Sequence, residues 1–177
     1  MNKVQNMTEE NQMRNIFVEK VTVNMGLGNN PEELKRAQQI IERITQRKAL
    51  QTMCKVKQPK WDIRPGIPIG LKVTLRNSSA KEFLERALKA KENQLKKKCF
   101  DNRGCFGFGI KEYIDMPGTK YDPALGIRGF DVLVTLSRPG FRIKKRKIKN
   151  SRIGKRHLIS KKDAMNFMKK IFGVEII

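Results

Sequence analysis

The sequence predicts an α+β protein: a two-layer domain whose helices cover one face of a mainly antiparallel sheet, followed by a basic arm and a short C-terminal helix. Three observations predict this fold. Several segments alternate apolar and polar residues as one-sided strands do, both long helical segments are amphipathic, and the elements follow in the order strand, helix, strand, strand, helix, strand, strand, arm, helix. The 177 residues, 38% of them hydrophobic, suffice for a core. We therefore divide the chain into a flexible N-terminus (residues 1–13), the domain (14–140), and the arm with its helix (141–177).

The first strand is predicted from Ile16 to Met25. Its residues Val21, Val23 and Met25 point one way, and the residues that point the other way are Lys20, Thr22 and Asn24. After a glycine pair, Asn30 is suited to cap a helix that starts at Pro31 and has a buried stripe of Leu34, Ala37, Ile41 and Ile44. A second strand over residues 49–57 then leads to an exposed loop at 58–66, because prolines cannot join a central ladder.

The clearest alternation in the chain runs from Pro68 to Arg76. Its apolar face is Ile69, Leu71, Val73 and Leu75, and its polar face includes Lys72, Thr74 and Arg76. Ser79 and Glu82 have the spacing of a capping box, so we expect the second helix to open at Ser79. Its apolar positions are Phe83, Leu84, Ala87, Leu88 and Ala90, and it is predicted to end near the cations of residues 96–98.

The last third of the chain contains two strands, a loop, the arm and a helix. A glycine-rich strand is predicted at residues 105–113, a long loop at 115–129, and an alternating strand at 130–136. The arm follows, and its cations are Arg142, Lys144, Lys145, Arg146, Lys147, Lys149, Arg152, Lys155 and Arg156. Ser160 and Asp163 then cap the final helix.

The charge of the chain indicates a polyanionic partner. Its 39 Lys and Arg against 17 Asp and Glu give a net charge of +22, which repels itself in a folded protein unless a partner neutralises it. Anionic lipid and acidic proteins are possible partners, but the excess charge is not gathered on one amphipathic helix, which favours nucleic acid. An open sheet face with cations and hydroxyl groups suits the A-form minor groove of RNA. The alternative is an ordinary solvated face.

The arm and one loop are further candidate contacts. Segments as basic as residues 142–156 usually become ordered when RNA neutralises them, although a localisation signal or a solubilising run has the same composition. In the loop at 58–66 and just before it, Lys57, Lys60 and Arg64 surround Trp61, the single tryptophan. The ring of Trp61 either is exposed and can stack on a base, or folds back onto the domain, and the sequence leaves both possibilities open.

The sequence predicts no catalytic, metal or cofactor site. Its three cysteines form no CxxC pair, and the single histidine, His157, lies in the basic arm. The Gly26-Leu27-Gly28 segment lacks the third glycine and the Lys-Ser/Thr ending of phosphate loops, so we interpret it as structural. The first 13 residues are polar, and no apolar run approaches the roughly 18 residues of a membrane span. We therefore expect a soluble protein of the cytoplasm.

Four stretches of the chain resemble one known family. They are Lys20-Val-Thr-Val-Asn-Met-Gly-Leu-Gly28, Ile63-Arg-Pro-Gly-Ile-Pro-Ile-Gly-Leu-Lys-Val-Thr-Leu-Arg76, Phe106-Gly-Phe-Gly-Ile-Lys-Glu112 and Gly129-Phe-Asp-Val-Leu-Val-Thr-Leu136. The chain is similar there to the universal large-subunit ribosomal protein five family, which binds 5S ribosomal RNA. The segment Arg138-Pro-Gly-Phe-Arg-Ile-Lys144 and the last helix resemble the archaeal and eukaryotic branch.

The resemblance implies a non-enzymatic part of the ribosome. Members lie in the central protuberance, among other proteins, and hold 5S RNA against the large ribosomal RNA. It implies RNA-facing roles for Asn24, Lys72, Thr74 and Arg76 on the open sheet face, and a contact of the loop around Trp61 with the P-site transfer RNA. It also implies a bridge to small-subunit protein thirteen near Lys111, Glu112, Lys120 and Arg128.

Two other functions fit the sequence less well. An RNA-acting enzyme would use the basic surface to gather substrate, but it needs a catalytic cluster that the sequence does not offer. A general binder of double-stranded DNA would use the same charge without preferring RNA. Competition between DNA and 5S RNA at one salt concentration separates the DNA binder from the ribosomal protein.

Overall fold

The computed structural model of the chain describes residues 11–177. The first ten residues of the predicted flexible N-terminus lie outside that range. Gln12–Arg14 form a single 3-10 turn, which Asn11 caps by accepting a hydrogen bond from the amide of Met13. The chain then enters the first strand.

Within residues 11–177, seven strands build two sheets. In chain order they are β1 (Phe17–Gly26), β2 (Leu50–Met53), β3 (Pro68–Leu75), β4 (Gln94–Leu95), β5 (Phe106–Ile110), β6 (Phe130–Ser137) and β7 (Glu175–Ile176). The main sheet has the order β2-β3-β1-β6-β5, and all its neighbours are antiparallel. Strands β4 and β7 form a separate parallel pair. The first strand is therefore central, between β3 and β6.

Two long helices cover one face of the main sheet. They are α1 (Pro31–Thr45) and α2 (Asn77–Lys89), and the apolar sides of both helices share one core with the alternating apolar residues of the strands. Two more helices follow the sheet: α3 (Arg142–Lys145) in the arm and α4 (Lys161–Phe172). No described helix covers the second face, where Lys72 and Thr74 are exposed. The predicted α+β fold is confirmed.

The predicted starts of α1 and α4 are confirmed by their caps. The side chain of Asn30 accepts hydrogen bonds from the amides of Glu32 and Glu33 at 3.2 and 3.4 Å. At α4, Ser160 and Asp163 form a reciprocal capping box, each side chain accepting from the amide of the other residue. Such caps stabilise a helix by about 1 kcal/mol each because they satisfy otherwise unpaired N–H groups.

Both predicted ends of α2 are wrong. The helix begins at Asn77, which takes a left-handed φ of 57°, so Ser79 lies inside the first turn and accepts a hydrogen bond from Arg47. The helix ends at Lys89 because Glu92 and Asn93 turn the chain with φ values of 55° and 56°. Within the predicted helix, Gln94–Leu95 instead form β4, which pairs with β7, and residues 97–99 form a 3-10 turn.

Several predicted strands are longer than those observed. The strand predicted at 49–57 ends at Met53, where its register against β3 shifts between Thr52 and Met53 and regular pairing stops. The strand predicted at 105–113 covers only Phe106–Ile110. In β1 the register against β6 shifts between Val18 and Lys20, a β-bulge that the alternation does not reveal.

The last helix packs on the core of the domain. Ile159, Ala164, Met168 and Val174 are buried and belong to the same hydrophobic cluster as the sheet. Strand β7 then pairs with β4 beyond the end of α2. Both flanks of the basic arm are thus held by the folded domain.

Candidate nucleic-acid interface

The candidate interface is the uncovered face of the main sheet, which we call the open face. Its predicted part lies on β1 and β3. Because side chains alternate along a strand, Lys20, Thr22 and Asn24 share this face with Lys72 and Thr74. The register places Thr22 opposite Thr74 and Asn24 opposite Lys72. Hydroxyl, amide and ammonium groups therefore lie side by side across the two central strands.

Arg76 extends this surface beyond the end of β3. It is exposed, its backbone is extended, and it occupies the position before the first residue of α2. The open face thus ends in a guanidinium group at the start of a helix that has no side-chain cap. Such a group offers paired N–H donors that match a phosphate.

The six predicted residues of the open face are not equally accessible. Lys72, Thr74 and Arg76 are exposed, Lys20 and Asn24 are partly buried, and Thr22 keeps only 9% of its surface. Thr22 lies between Thr74 on one neighbouring strand and Leu133 on the other. Thr22 therefore lies below the surface of the open face, and a ligand would contact the other five residues first.

The part of the open face on β6 and β5 was not predicted. Asp131 lies opposite Asn24 and Leu133 lies opposite Thr22, and Leu133 is 48% exposed. Gly109 faces Asp131 and Gly107 faces Leu133, so both larger side chains lie beside bare backbone. The signal was present in the sequence, since Phe130, Val132, Val134 and Leu136 alternate along this strand and leave Asp131 and Leu133 on its other side.

The loop of residues 57–66 presents its tryptophan to solvent. Gln58 and Ile63 pair as an isolated bridge, Ile63 is buried, and a 3-10 turn, Pro59–Trp61, forms the tip. Trp61 is 70% exposed. Of the two possibilities that the sequence left open for this ring, folding back onto the domain is therefore wrong. The predicted loop cations Lys57, Lys60 and Arg64 are exposed around it.

The arm exposes every predicted cation. All nine Lys and Arg side chains of residues 142–156 are in the exposed class. The segment is nevertheless shaped by hydrogen bonds: α3 forms its first turn, the amide of Ser151 donates to the carbonyl of Ile143, and Nε of Arg146 donates to the carbonyl of Lys149 at 2.7 Å. Lys145 also pairs with Glu19, the residue at the bulge of β1.

The long loop after β5 is tied to α1 by two ion pairs. Arg128 lies 2.7 Å from Glu33, and Arg43 lies 2.8 Å from Asp122. The hydrogen bond from Arg43 lowers the pKa of Asp122, and a backbone hydrogen bond from Ala124 lowers it further. Among the predicted bridge residues, Lys111, Glu112 and Lys120 are exposed, whereas Arg128 is partly buried and already paired.

The Gly26-Leu27-Gly28 segment and the single histidine both make structural contacts. The amides of Leu27 and Gly28 both donate to the carbonyl of Ile69, at 3.0 and 3.1 Å, so they are not free to bind a phosphate. His157 donates from Nε2 to the carbonyl of Pro139. Within residues 11–177, no three His, Cys, Asp or Glu side chains are grouped so that they could hold a metal ion.

Comparison with known proteins identifies the family. A family model described as "Ribosomal protein L5" matches residues 11–64, and a second model, described as the C-terminus of the same ribosomal protein family, matches residues 68–167. The chain belongs to this ribosomal protein family. The two matches together cover the open face, the exposed loop as far as Arg64, the long loop and the arm.

Three relatives show how far the similarity extends. Each is named large ribosomal subunit protein uL5. The protein of Nanoarchaeum equitans is 46% identical over 95% of this chain and 99% of its own length. That of Sulfolobus acidocaldarius is 44% identical over 98% of both chains, and that of Methanococcus aeolicus is 43% identical over 95% of this chain and 94% of its own. These relatives are archaeal, which agrees with the branch that the sequence resembles.

The helices of the described chain differ from membrane spans. Over residues 11–177, none combines the length and the apolar composition that crossing a bilayer requires.

Proposed function

We propose that the protein is a structural component of the large ribosomal subunit, where its open face binds 5S ribosomal RNA. In this proposal it holds 5S RNA against the large ribosomal RNA in the central protuberance, among other proteins of that region. The observation that carries the proposal is the open face itself: a row of cationic, amide and hydroxyl side chains on the face of the sheet that no described helix covers. The membership in a family of large-subunit proteins supports it.

The chemistry of the open face suits folded RNA better than DNA. A-form helices have a wide, shallow minor groove that displays 2′-hydroxyl groups, and a flat surface can lie against it. Thr74 and Asn24 offer partners for hydroxyls and base edges, while Lys72 and Arg76 offer cations for phosphates. Duplex DNA lacks the 2′-hydroxyl and presents a narrow minor groove.

The other exposed segments have separate proposed partners. The nine cations of the arm contact the large ribosomal RNA through its phosphates. The loop tip with Trp61 contacts the P-site transfer RNA, since an exposed ring among cations is suited to stack on a base or ribose. The exposed side of the long loop, with Lys111, Glu112 and Lys120, faces small-subunit protein thirteen. In this role the protein has no substrate and catalyses no reaction.

Binding of a 5S RNA transcript tests the open-face assignment. Lys72→Ala and Arg76→Ala should each weaken binding and reduce the slope of log affinity against log salt by about 1, because each removes one phosphate-directed cation. Lys81→Ala is the matched control, since Lys81 is exposed on α2, the helix on the opposite face of the sheet. Unchanged affinity in both open-face variants would rule out the assignment.

A replacement of the arm tests the second contact. Exchanging residues 142–156 for a short Gly-Ser linker should leave 5S binding unchanged and weaken binding to a large-subunit RNA transcript, with a shallower salt dependence. If both RNAs bind the truncated protein normally through a salt series, the arm has another role.

A further inference from the structure

One buried arginine, Arg138, connects the two ends of the basic arm. Arg138 follows β6 directly, and its side chain is only 10% exposed. Its Nη1 donates to the carbonyls of His157 and Leu158 at 3.3 and 3.2 Å, and its Nη2 donates to Oδ2 of Asp163 at 3.2 Å. The guanidinium group that precedes the arm therefore binds two residues that directly follow the arm, His157 and Leu158, and one residue of α4, Asp163.

His157 makes a second connection between the two ends. Its Nε2 lies 2.9 Å from the carbonyl of Pro139, and its ring meets the ring of Phe141 edge-on at 5.6 Å. The entry is itself a tight turn, in which Gly140 has a φ of 90° and the amide of Phe141 donates to the carbonyl of Arg138. Pro followed by Gly is suited to a type II turn.

Both flanks of this closure belong to the rigid part of the domain. Before Arg138 the chain is in β6, which pairs with the central strand. After His157, Ile159 is 2% exposed and packs against Gly104 so closely that a Cβ on Gly104 would come within 2.4 Å of it. Asp163 also accepts a hydrogen bond from the amide of Ser160 as part of the cap of α4.

We propose that Arg138 and His157 are positioning residues that lock the arm into a closed loop before RNA is bound. The nine arm cations are then a preformed phosphate-binding surface and not a tail that RNA must first order. This lock revises the expectation that the arm orders only when RNA neutralises it. Its consequence for RNA rests on the proposed function; the closed loop itself does not.

The lock predicts a distinctive effect on RNA affinity. A segment that is already ordered loses less conformational entropy on binding, so it binds more tightly than a flexible segment with the same charges. The slope of log affinity against log salt, however, depends on the number of phosphates that are neutralised, and that number is the same for an ordered and a flexible arm. Opening the lock should therefore weaken binding without changing the salt slope.

Amide hydrogen exchange of the free, full-length protein tests the closed loop. In the wild type, the arm amides with partners, such as those of Arg146 and Ser151, should exchange more slowly than an open chain. His157→Ala and Arg138→Lys should each raise exchange within residues 142–156 about tenfold. The thermal midpoint serves as a check that the His157→Ala domain remains folded. Arg142→Gln, an exposed arm cation outside the lock, should leave exchange unchanged.

Binding to a large-subunit ribosomal RNA transcript tests the consequence. His157→Ala should weaken binding about fivefold at fixed salt with the salt slope unchanged, because it opens the loop but removes no arm cation. Arg142→Gln should lower the slope by about 1. Binding of 5S RNA should change in neither variant.

The outcomes separate the lock from the proposed function. Arm amides that exchange in the wild type as fast as in an open chain would overturn the closed loop, as would equal exchange in the wild type and His157→Ala. Equal RNA affinity in the two proteins, or a reduced slope in His157→Ala, would overturn the positioning role. If the wild type instead prefers neither ribosomal RNA over an unrelated polyanion, the proposed function fails while the exchange result still decides the lock.

Discussion

Asn24 and Asp131 lie directly opposite each other on β1 and β6, on the open face of the sheet. The same Asn24 lies opposite Lys72 on its other side, so an amide is flanked by a cation and a carboxylate. A carboxylate repels phosphates, but it accepts hydrogen bonds from base N–H groups such as the amino group of cytosine. Asp131 is therefore suited to select among RNAs and unsuited to raise affinity for all of them.

Replacing Asp131 by asparagine should raise the affinity for unrelated RNA and lower the preference for 5S RNA. Affinity for an unrelated structured RNA should rise because a negative charge is removed. The preference for 5S RNA over that RNA should fall about tenfold, which is the usual size of one lost base contact. Competition binding at one salt concentration measures both.

Glu85→Gln provides the charge-matched control, since Glu85 is exposed on α2, away from the open face. If Asp131→Asn and Glu85→Gln raise all affinities equally and leave the preference unchanged, Asp131 acts only through its charge.

A second prediction concerns two glycines that face each other across β1 and β3. Gly26 and Gly70 are paired in register, but a Cβ on Gly70 would lie 2.7 Å from the carbonyl oxygen of Met25, whereas a Cβ on Gly26 would have nothing within 4 Å. Gly70→Ala should therefore destabilise the protein by about 1–3 kcal/mol, since backbone must move. Gly26→Ala should change stability by less than about 0.5 kcal/mol. Chemical denaturation measures both, and equal effects would show that the strands adjust freely.

The sequence predicted the open face because the pattern that specifies it is local. Alternation in residues 20–25 and 68–76 assigns each side chain to a face without knowledge of the strand order. The same reasoning placed the helix caps at Asn30 and Ser160, because a cap and the amides that it binds lie within three residues of each other.

The failures have a different physical origin. The spacing of Ser79 and Glu82 satisfies the capping box, but the chain leaves β3 so abruptly that Asn77 already starts the helix. The predicted helix also continued through Gln94–Leu95, which instead form β4, and this strand exists only through its pairing with β7, about eighty residues away in sequence. The lock at Arg138 likewise joins groups that no local pattern connects.

The exposed ring of Trp61 leads to a third prediction. A side chain that is 70% exposed buries little apolar surface, so Trp61→Ala should change the free energy of unfolding by less than about 0.5 kcal/mol. If the ring stacks on transfer RNA, the variant should lose about 1–3 kcal/mol of that contact. Crosslinking of P-site transfer RNA to reconstituted subunits measures the contact. A destabilised variant would indicate that the ring packs on the domain in solution.

The last prediction concerns the ion pair between Arg43 and Asp122, which ties the long loop to α1. The hydrogen bond from Arg43 lowers the pKa of Asp122 below the roughly 3.9 of an unperturbed aspartate. Because the folded pKa is the lower one, the pair stabilises the fold above the unfolded pKa and loses this contribution as the pH falls through the folded pKa. Arg43→Gln should therefore lower the thermal midpoint at pH 6, and the difference from the wild type should shrink toward pH 2.

Two controls isolate the charge of this pair. Arg43→Gln should also move the pKa of Asp122 back toward its ordinary value in an NMR titration. Asp122→Asn should lower the midpoint at pH 6 and show the same loss of difference at low pH, since the wild-type carboxyl is then also neutral. The two substitutions together should cost less than the sum of the single ones, because they remove the same interaction. A midpoint difference that persists unchanged at pH 2 would mean that Arg43 acts through the packing of its side chain on the loop and not through the carboxylate.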